Sequence, residues 1–569
     1  MLGMNWLKEH FGYGGDDAYH LWGFYHIWVG SVLTGNSPFF TNLIYHPWGT
    51  QTVLHTEVLS KTFLLSFVYG IWENPYLCYN LYIFFTFYIS FISLCFSFHI
   101  IYNKLSIPSI IFFASFITFN PNSLIRLHGH FNFMSIDSFS LVLLSLTLFF
   151  YRRHFLINYI FVGASLGYVL YTDINFFLIT IPFFILISLP LLNKLQKIKI
   201  NKLLFKLLGN LLTFIIISFP FFLNLIKELF TGDYETVISE ANPEFEFDLV
   251  FPLNKLKQFF YQLGFHNLSN FPKIDSNIET EFSISSAYYF WFLGLILFII
   301  IKKKFNISLI KSFYYLSACL LIIFLASGFS IKFNGKEICK SIYIYLIDIP
   351  FYQSMRIPSR WIVILPYFMS FVVIEIQNQI KLGIFDKRLS FYLSIFLIIL
   401  FIQESKVSPI EIKNYFTLPN DLEYVRRDKD IQAVFNIPIH YRNGLQLIGK
   451  SDRDGELLAL QFIHNKKIVD GFVSRNRISY NNRFRSNYFV IFQFYCDTLK
   501  FSEAKLYLEK NRDFILRDFY IFKVQAILIQ RKKFSDSDIM QNIELLKNLG
   551  IVRSIETHES LIIIKTNSL

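Results

Sequence analysis

Charge is scarce in this chain. Asp, Glu, Lys and Arg make up 17% of its 569 residues, against about a quarter in water-soluble domains. With hydrophobic residues at 53%, that deficit excludes a soluble globular protein over most of the length. Cysteine is scarce too: Cys78, Cys95 and Cys319 sit inside apolar runs, and Cys339 and Cys496 lie outside them without CxxC spacing. No disulfide framework and no zinc site is implied. Residues 1–20 lack the apolar core of a cleavable signal peptide, and no internal repeat or low-complexity linker is visible. The net charge of +12 would suit nucleic acid in a soluble protein. Here the basic residues gather at the ends of apolar runs, so the charge reports membrane topology and no nucleic-acid partner is expected.

What the chain does have is apolar runs. Ten segments are long enough to span a bilayer as helices, near 75–101, 106–119, 131–151, 155–171, 174–192, 207–226, 287–301, 309–327, 360–378 and 389–403. Lys104, Arg152 with Arg153, Lys194 to Lys206, Lys302 to Lys304, and Lys381 to Arg388 fall in alternate connections, which are therefore cytoplasmic. The intervening loops face outward, as does everything beyond residue 404. Were 54–72 to span, all five basic clusters would face outward. It reads instead as an amphipathic helix in the outer interface, with Glu57 and Lys61 paired at i, i+4.

Three regions result: an extracytoplasmic first loop (1–74), a transmembrane helical domain (75–403) and a soluble extracytoplasmic α/β domain (404–569). An outward-facing first loop implies a spanning helix upstream of Met1. In the last region "IQAVFNIPI", "KKIVDGFV" and "QAILIQRK" read as strands. "FSDSDIMQNIELLKNLG" reads as a helix with Ser and Asp caps and a terminal Gly550, and "IVRSIETHESLIIIKT" as a hairpin. The fold class expected is an α-helical polytopic membrane protein followed by an α/β domain.

Chemistry gathers in the outward loops. In "GGDDAYHLW", a helix starting at the aspartates puts His20 on one face with Asp16 and Asp17, and sets Leu21, Tyr25, Trp28 and Val32 in an apolar stripe suited to the interface. One aspartate can cap the helix; the other is left as a general base or a metal ligand. "SPFFTNLIYHPWGTQTVLHT" carries His46 and His55, with Tyr45 and Trp48 as interfacial aromatics. "NPNSLIRLHGHFNFMSID" offers Arg126, His128, His130 and Asn132 as donors for phosphate or sugar oxygens, and Asp137 inside the next helix. Asp173, in "YTDIN", shares that side of the membrane. "DIPFYQSMRIPSRW" presents Arg356 and Arg360, two guanidinium forks at the height of a lipid phosphate; snorkelling at a helix end is the plain alternative.

Taken together, "GGDDAYHLW", "NSPFF...IYHPWGT...LHT", "YN" at the next helix, "GHFN" and "MRIPSRW" resemble the GT-C-fold membrane glycosyltransferases, in the bacterial branch with an outer α/β domain. The resemblance runs over nearly the whole chain. It implies inverting transfer of a hexose or pentose from a polyprenyl-phosphate carrier to a glycan, lipid or protein acceptor at the outer face of the plasma membrane, in cell-envelope polysaccharide biosynthesis. It makes Asp16 or Asp17 the base or a metal-binding carboxylate, and Arg356 with Arg360 the phosphate clamp. His20, His46, His55, Arg126, His128, His130 and Asp173 are further substrate-binding candidates. If a cofactor is used, it is a divalent cation, Mg or Mn, on Asp16, Asp17 and His20. A flippase of lipid-linked saccharides would want ionisable residues at the midplane and inverted repeats; a noncatalytic assembly scaffold would need only the outer domain.

Overall fold

The computed structural model describes residues 10–11, 17–53, 59–103, 105–120, 123, 136–151, 156–197, 199–231, 310–333, 336–347, 352, 358–379, 412–413, 421–439, 441–443, 446–448, 456–473 and 478–567. The expected spans 287–301 and 389–403 lie outside these residues. The longer helices described in the first two-thirds of the chain are α1 (Asp17–Tyr25), α2 (Leu59–Trp72), α3 (Pro75–Ile101), α4 (Ile107–Thr118), α5 (Ile136–Tyr151), α6 (Phe161–Thr172), α7 (Ile174–Ser188), α8 (Ile200–Thr231), α9 (Ile310–Ala326) and α10 (Leu365–Gln379). Among the described residues three helices are long and apolar enough to cross a membrane, Pro75–Ile101, Ile174–Leu192 and Ile200–Glu228, with shorter apolar helices beside them. The chain divides into two compact units: residues 1–82, 219–236 and 411–569 form one, and residues 83–218 and 237–410 the other.

In the second unit, helix boundaries follow local chemistry. Ser106 caps α4, accepting from Ser109 N–H, with Pro108 in the first turn, where a missing N–H costs nothing. Asp173 caps α7, its Oδ1 accepting from Asn175 N–H at 2.6 Å. A hydroxyl chain ties four helices together: Ser90 of α3 contacts Thr118 of α4 (3.2 Å) and Ser140 of α5 (2.8 Å), and Ser140 contacts Tyr367 of α10 (2.8 Å). The Tyr367 hydroxyl also donates to the Ile136 carbonyl at 2.9 Å. Such bonds add directional contacts where lipid and side chain are equally apolar.

Close approach supplies the rest. Gly163 and Gly167 on α6 face α8: a Cβ on Gly163 would lie 2.0 Å from the Asn210 carbonyl oxygen, and one on Gly167 2.6 Å from Ile217. Asn210 Oδ1 accepts from Gly163 N–H at 3.0 Å and its amide donates to the Asn158 carbonyl at 2.8 Å, so the contact is both tight and hydrogen-bonded.

In the first unit a five-stranded sheet forms from β1 (Ala433–Ile437), β2 (Lys467–Ile468), β3 (Ala526–Gln530), β4 (Val552–Thr557) and β5 (Leu561–Thr566), in the order β2-β1-β3-β5-β4. β2, β1 and β3 run parallel, and β5 pairs antiparallel with β3 and β4. Val434, Phe435, Ile527, Leu528, Ile563 and Ile564 are buried, the continuous apolar content of a sheet covered on both faces. The helix Asp536–Leu549 starts in a capping box of Ser535 with Asp538 and stops at Gly550, which is left-handed at φ 87°; Ile539, Ile543 and Leu546 are buried, as their spacing indicates.

α2 turns Phe63, Leu64, Phe67, Ile71 and Trp72 outward and buries Lys61, Thr62, Ser66 and Tyr69. This outward apolar face is of the kind that lies in a bilayer interface. Glu57 lies outside the described residues, and Lys61 places its ammonium 4.4 Å from the centre of the Tyr82 ring. Gly70 admits the Trp28 ring, which a Cβ would meet at 2.3 Å.

Candidate functional site

α1 opens at Asp17, an acidic start that suits the unpaired N–H groups of a first turn. Asp16 lies outside the described residues, as do His55, Arg126, His128, His130, Asn132 and Arg356. His20, one turn into α1, is buried, with the Tyr19 ring edge-on at 6.2 Å. The stripe expected to face lipid is different: Leu21 and Tyr25 are buried, and only Trp28 and Val32 keep partial exposure. The physical reason is that protein covers this face. The Tyr25 hydroxyl donates to Asn465 Oδ1 at 2.5 Å, and Trp22 Nε1 donates to Gln461 Oε1 at 2.5 Å. Trp22 also stacks on His26 with ring centres 4.9 Å apart. Both acceptors belong to the α/β region, on or next to the helix Glu456–His464.

The stretch around His46 is held by the same region. Leu43 carbonyl accepts from Ile468 N–H at 2.8 Å, His46 N–H donates to the Ile468 carbonyl at 3.0 Å, and Tyr45 N–H donates to the Asp470 carbonyl at 3.1 Å. This segment thus pairs with the edge strand β2. Tyr45 is buried with its hydroxyl on the Gly471 carbonyl, and Trp48 meets Phe522 edge-on. These two aromatics, which the sequence suggested as bilayer anchors, are docking contacts. Gly471 is needed for the approach: φ is +155°, and a Cβ would lie 2.9 Å from Ile44. Burial, then nearby Lys467 and Lys523, push the His46 pKa down to about 4. Its imidazole is neutral at pH 7 and offers a phosphate no positive charge.

In the second unit the turn Pro358–Ile364 leads into α10 and buries Arg360. Burial raises the Asp173 pKa while the Arg360 guanidinium and the Asn175 N–H oppose the rise. These two, proposed separately from sequence, therefore act on each other. A phosphate reaching Arg360 must compete with a carboxylate already beside it. Asp137 is buried and accepts from the Tyr168 hydroxyl at 2.6 Å. The Ser138 hydroxyl lies 3.4 Å from that of Thr172, so Asp137 and Asp173, their neighbours in sequence, come to one end of the bundle. Among the described residues no three His, Cys, Asp or Glu side chains gather as a metal cluster.

Sequence reasoning passed over Trp22 and Gln461, which meet each other across more than four hundred residues, and over His26 and His464, buried beside them with local partners, the Pro38 carbonyl and the Lys466 N–H. It also passed over Glu375 on α10, which accepts from Tyr102 at 3.1 Å and faces Lys311 at 3.8 Å. The one available signal was a polar residue interrupting an apolar run, as in "ELLALQFIH" and "VVIEIQ".

Arabinofuranosyltransferase AftD from mycobacteria aligns with 99% of this chain at a TM-score of 0.53 and 10% identity. This chain has the GT-C fold. It spans 38% of the length of the mycobacterial protein, so what the two share is the fold. Weaker GT-C likenesses are the oligosaccharyltransferase of Archaeoglobus fulgidus (TM-score 0.42, 10% identity, 92% of this chain and 64% of that one) and ArnT of Cupriavidus metallidurans (0.38, 9%, 98% and 95%). No protein-family model and no curated protein matches the chain by sequence.

Proposed function

We propose that this GT-C chain is a membrane glycosyltransferase that moves a sugar from a polyprenyl-phosphate donor to an acceptor at the outer face of the plasma membrane. The observation that carries the reading is the likeness of nearly the whole chain to a transferase of that fold. In the reaction, Asp16 or Asp17 takes the proton from an acceptor hydroxyl as its oxygen attacks the anomeric carbon. The bond from that carbon to the phosphate oxygen breaks, and the electron pair leaves with the polyprenyl phosphate, stabilised by Arg356 and Arg360. Attack opposite the leaving group inverts the anomeric configuration. The sugar is a hexose or pentose, and the acceptor a glycan, lipid or protein.

A divalent cation is a further part of the proposal. Two carboxylates and an imidazole, Asp16, Asp17 and His20, form a donor set suited to Mg or Mn, whose charge would steady the acceptor oxygen. Loss of transfer on chelation, restored by Mg or Mn, tests it.

The main test is transfer by the full chain in nanodiscs, with a panel of polyprenyl-phosphate pentoses and hexoses and candidate acceptors. Loss of transfer in Asp16→Asn or Asp17→Asn supports the base; unchanged transfer in both and in the double variant sinks it. Arg356→Gln and Arg360→Gln are expected to raise donor KM. Movement of lipid-linked sugar across liposomes without transfer would replace the reading with a flippase.

A further inference from the structure

Gln461 is fully buried, and every polar atom of its side chain is engaged. Oε1 accepts from Trp22 Nε1 at 2.5 Å, and Nε2 donates to the carbonyls of Leu43 at 2.6 Å and Lys466 at 2.9 Å. The amide cannot be reversed, because its NH2 would then face an indole N–H and its oxygen two carbonyls. One side chain of the α/β region thus grips two separate points of the first outer stretch: α1 through Trp22, and the His46 segment through Leu43. Tyr25 on Asn465 adds a second bond from α1 to the same place, one turn beyond Trp22. α1 is nine residues long and begins at Asp17, so its orientation sets where the backbone of Asp17 lies.

We propose that Gln461, with Trp22, is a positioning residue: the α/β region acts on transfer by fixing α1, and thereby Asp17 at its start, against the helix Glu456–His464. The role in transfer rests on the glycosyltransferase reading; the grip itself does not. Both side chains are fully buried, so the role assigned to them is one of position. A loosened α1 displaces the base while leaving the donor's binding groups in place, so the effect belongs in kcat.

The experiment uses the full chain in nanodiscs, with Trp22→Phe, Gln461→Met and, as a destabilised control away from the grip, Leu549→Ala. Hydrogen exchange of the α1 amides needs no substrate. It is expected to speed up at least about tenfold in the two grip variants and not in the control, since a buried amide left without its partner costs that much or more. In sugar transfer the same two variants are expected to lose about tenfold or more in kcat with donor KM nearly unchanged, while Leu549→Ala melts earlier but keeps kcat. α1 exchange as slow in both grip variants as in the parent overturns the proposal, as does normal kcat in them beside fast exchange. If the parent transfers no sugar from any donor in the panel, the glycosyltransferase reading fails alone, and exchange still decides the grip.

Discussion

Acid should loosen the first unit selectively, through two histidines that no solvent reaches. His26 and His464 are both fully buried. Burial lowers the His26 pKa from 6.5 to about 4 against the pull of the Pro38 carbonyl, and burial followed by Lys466 lowers that of His464 to about 3. The folded chain therefore holds both rings neutral, while the unfolded chain protonates them below pH 6.5. Stability from this source is complete above the unfolded value and is lost as pH falls toward the folded ones. At pH 5 the unfolded imidazole is about thirtyfold protonated while the folded one is still almost neutral, which costs about 2 kcal/mol per ring, or about 4 kcal/mol for both. Because pH 5 lies above both folded values, the unfolded pKa alone sets that figure. Urea unfolding at pH 7.5 and pH 5, followed by tryptophan fluorescence, measures it; Trp22 stacks directly on His26 and reports the transition locally. His46, also held near 4, adds to the loss in the same sense, so His26→Gln and His464→Gln should each recover about 2 kcal/mol of it and not the whole. Equal stability of the parent at the two pH values, or an undiminished loss in both variants, would refute the reasoning.

Three further outcomes are expected. Gly163→Ala forces α6 from α8, since its Cβ would sit 2.0 Å from the Asn210 carbonyl oxygen; a loss of about 1–3 kcal/mol should appear as an earlier melt. Arg360→Gln removes the charge that opposes the burial of Asp173 and should lower the melting temperature, whereas Arg360→Gln with Asp173→Asn should cost less than the single change; a double-mutant cycle on thermal unfolding checks the coupling. Ser535→Ala removes the capping box of Asp536–Leu549 and should cost about 1 kcal/mol, visible as faster exchange in that helix's first turn.

Much of the fold was legible because it is written locally. The span 75–101 coincides with α3, since a long, mostly apolar run without Asp, Glu, Lys or Arg follows Asn74, whose side chain accepts from Leu77 N–H. The capped helix after Ser535 and the closing hairpin were legible for the same reason. The site was legible only in part. Asp173 and Arg360 each stand out in the sequence as ionisable residues at helix ends, but nothing there couples them. From the sequence Tyr25, Tyr45 and Trp48 read as lipid-facing, because an aromatic beside apolar helices suits a bilayer interface and a protein interface equally. Which one it meets is decided by Asn465, Gly471 and Phe522, more than four hundred residues later in the chain.

The pairing of Leu43, Tyr45 and His46 with Ile468 and Asp470 has a practical consequence. β2 is the edge of the five-stranded sheet, and a bare edge is a template for a second chain. In the folded chain residues 43–46 occupy it. A fragment beginning near residue 411 would present that edge to solvent, together with the apolar bed that Tyr45 and Trp48 leave behind, and would be prone to self-pair and aggregate. The α/β region is better studied, and better crystallised, with residues 17–53 supplied as a strap.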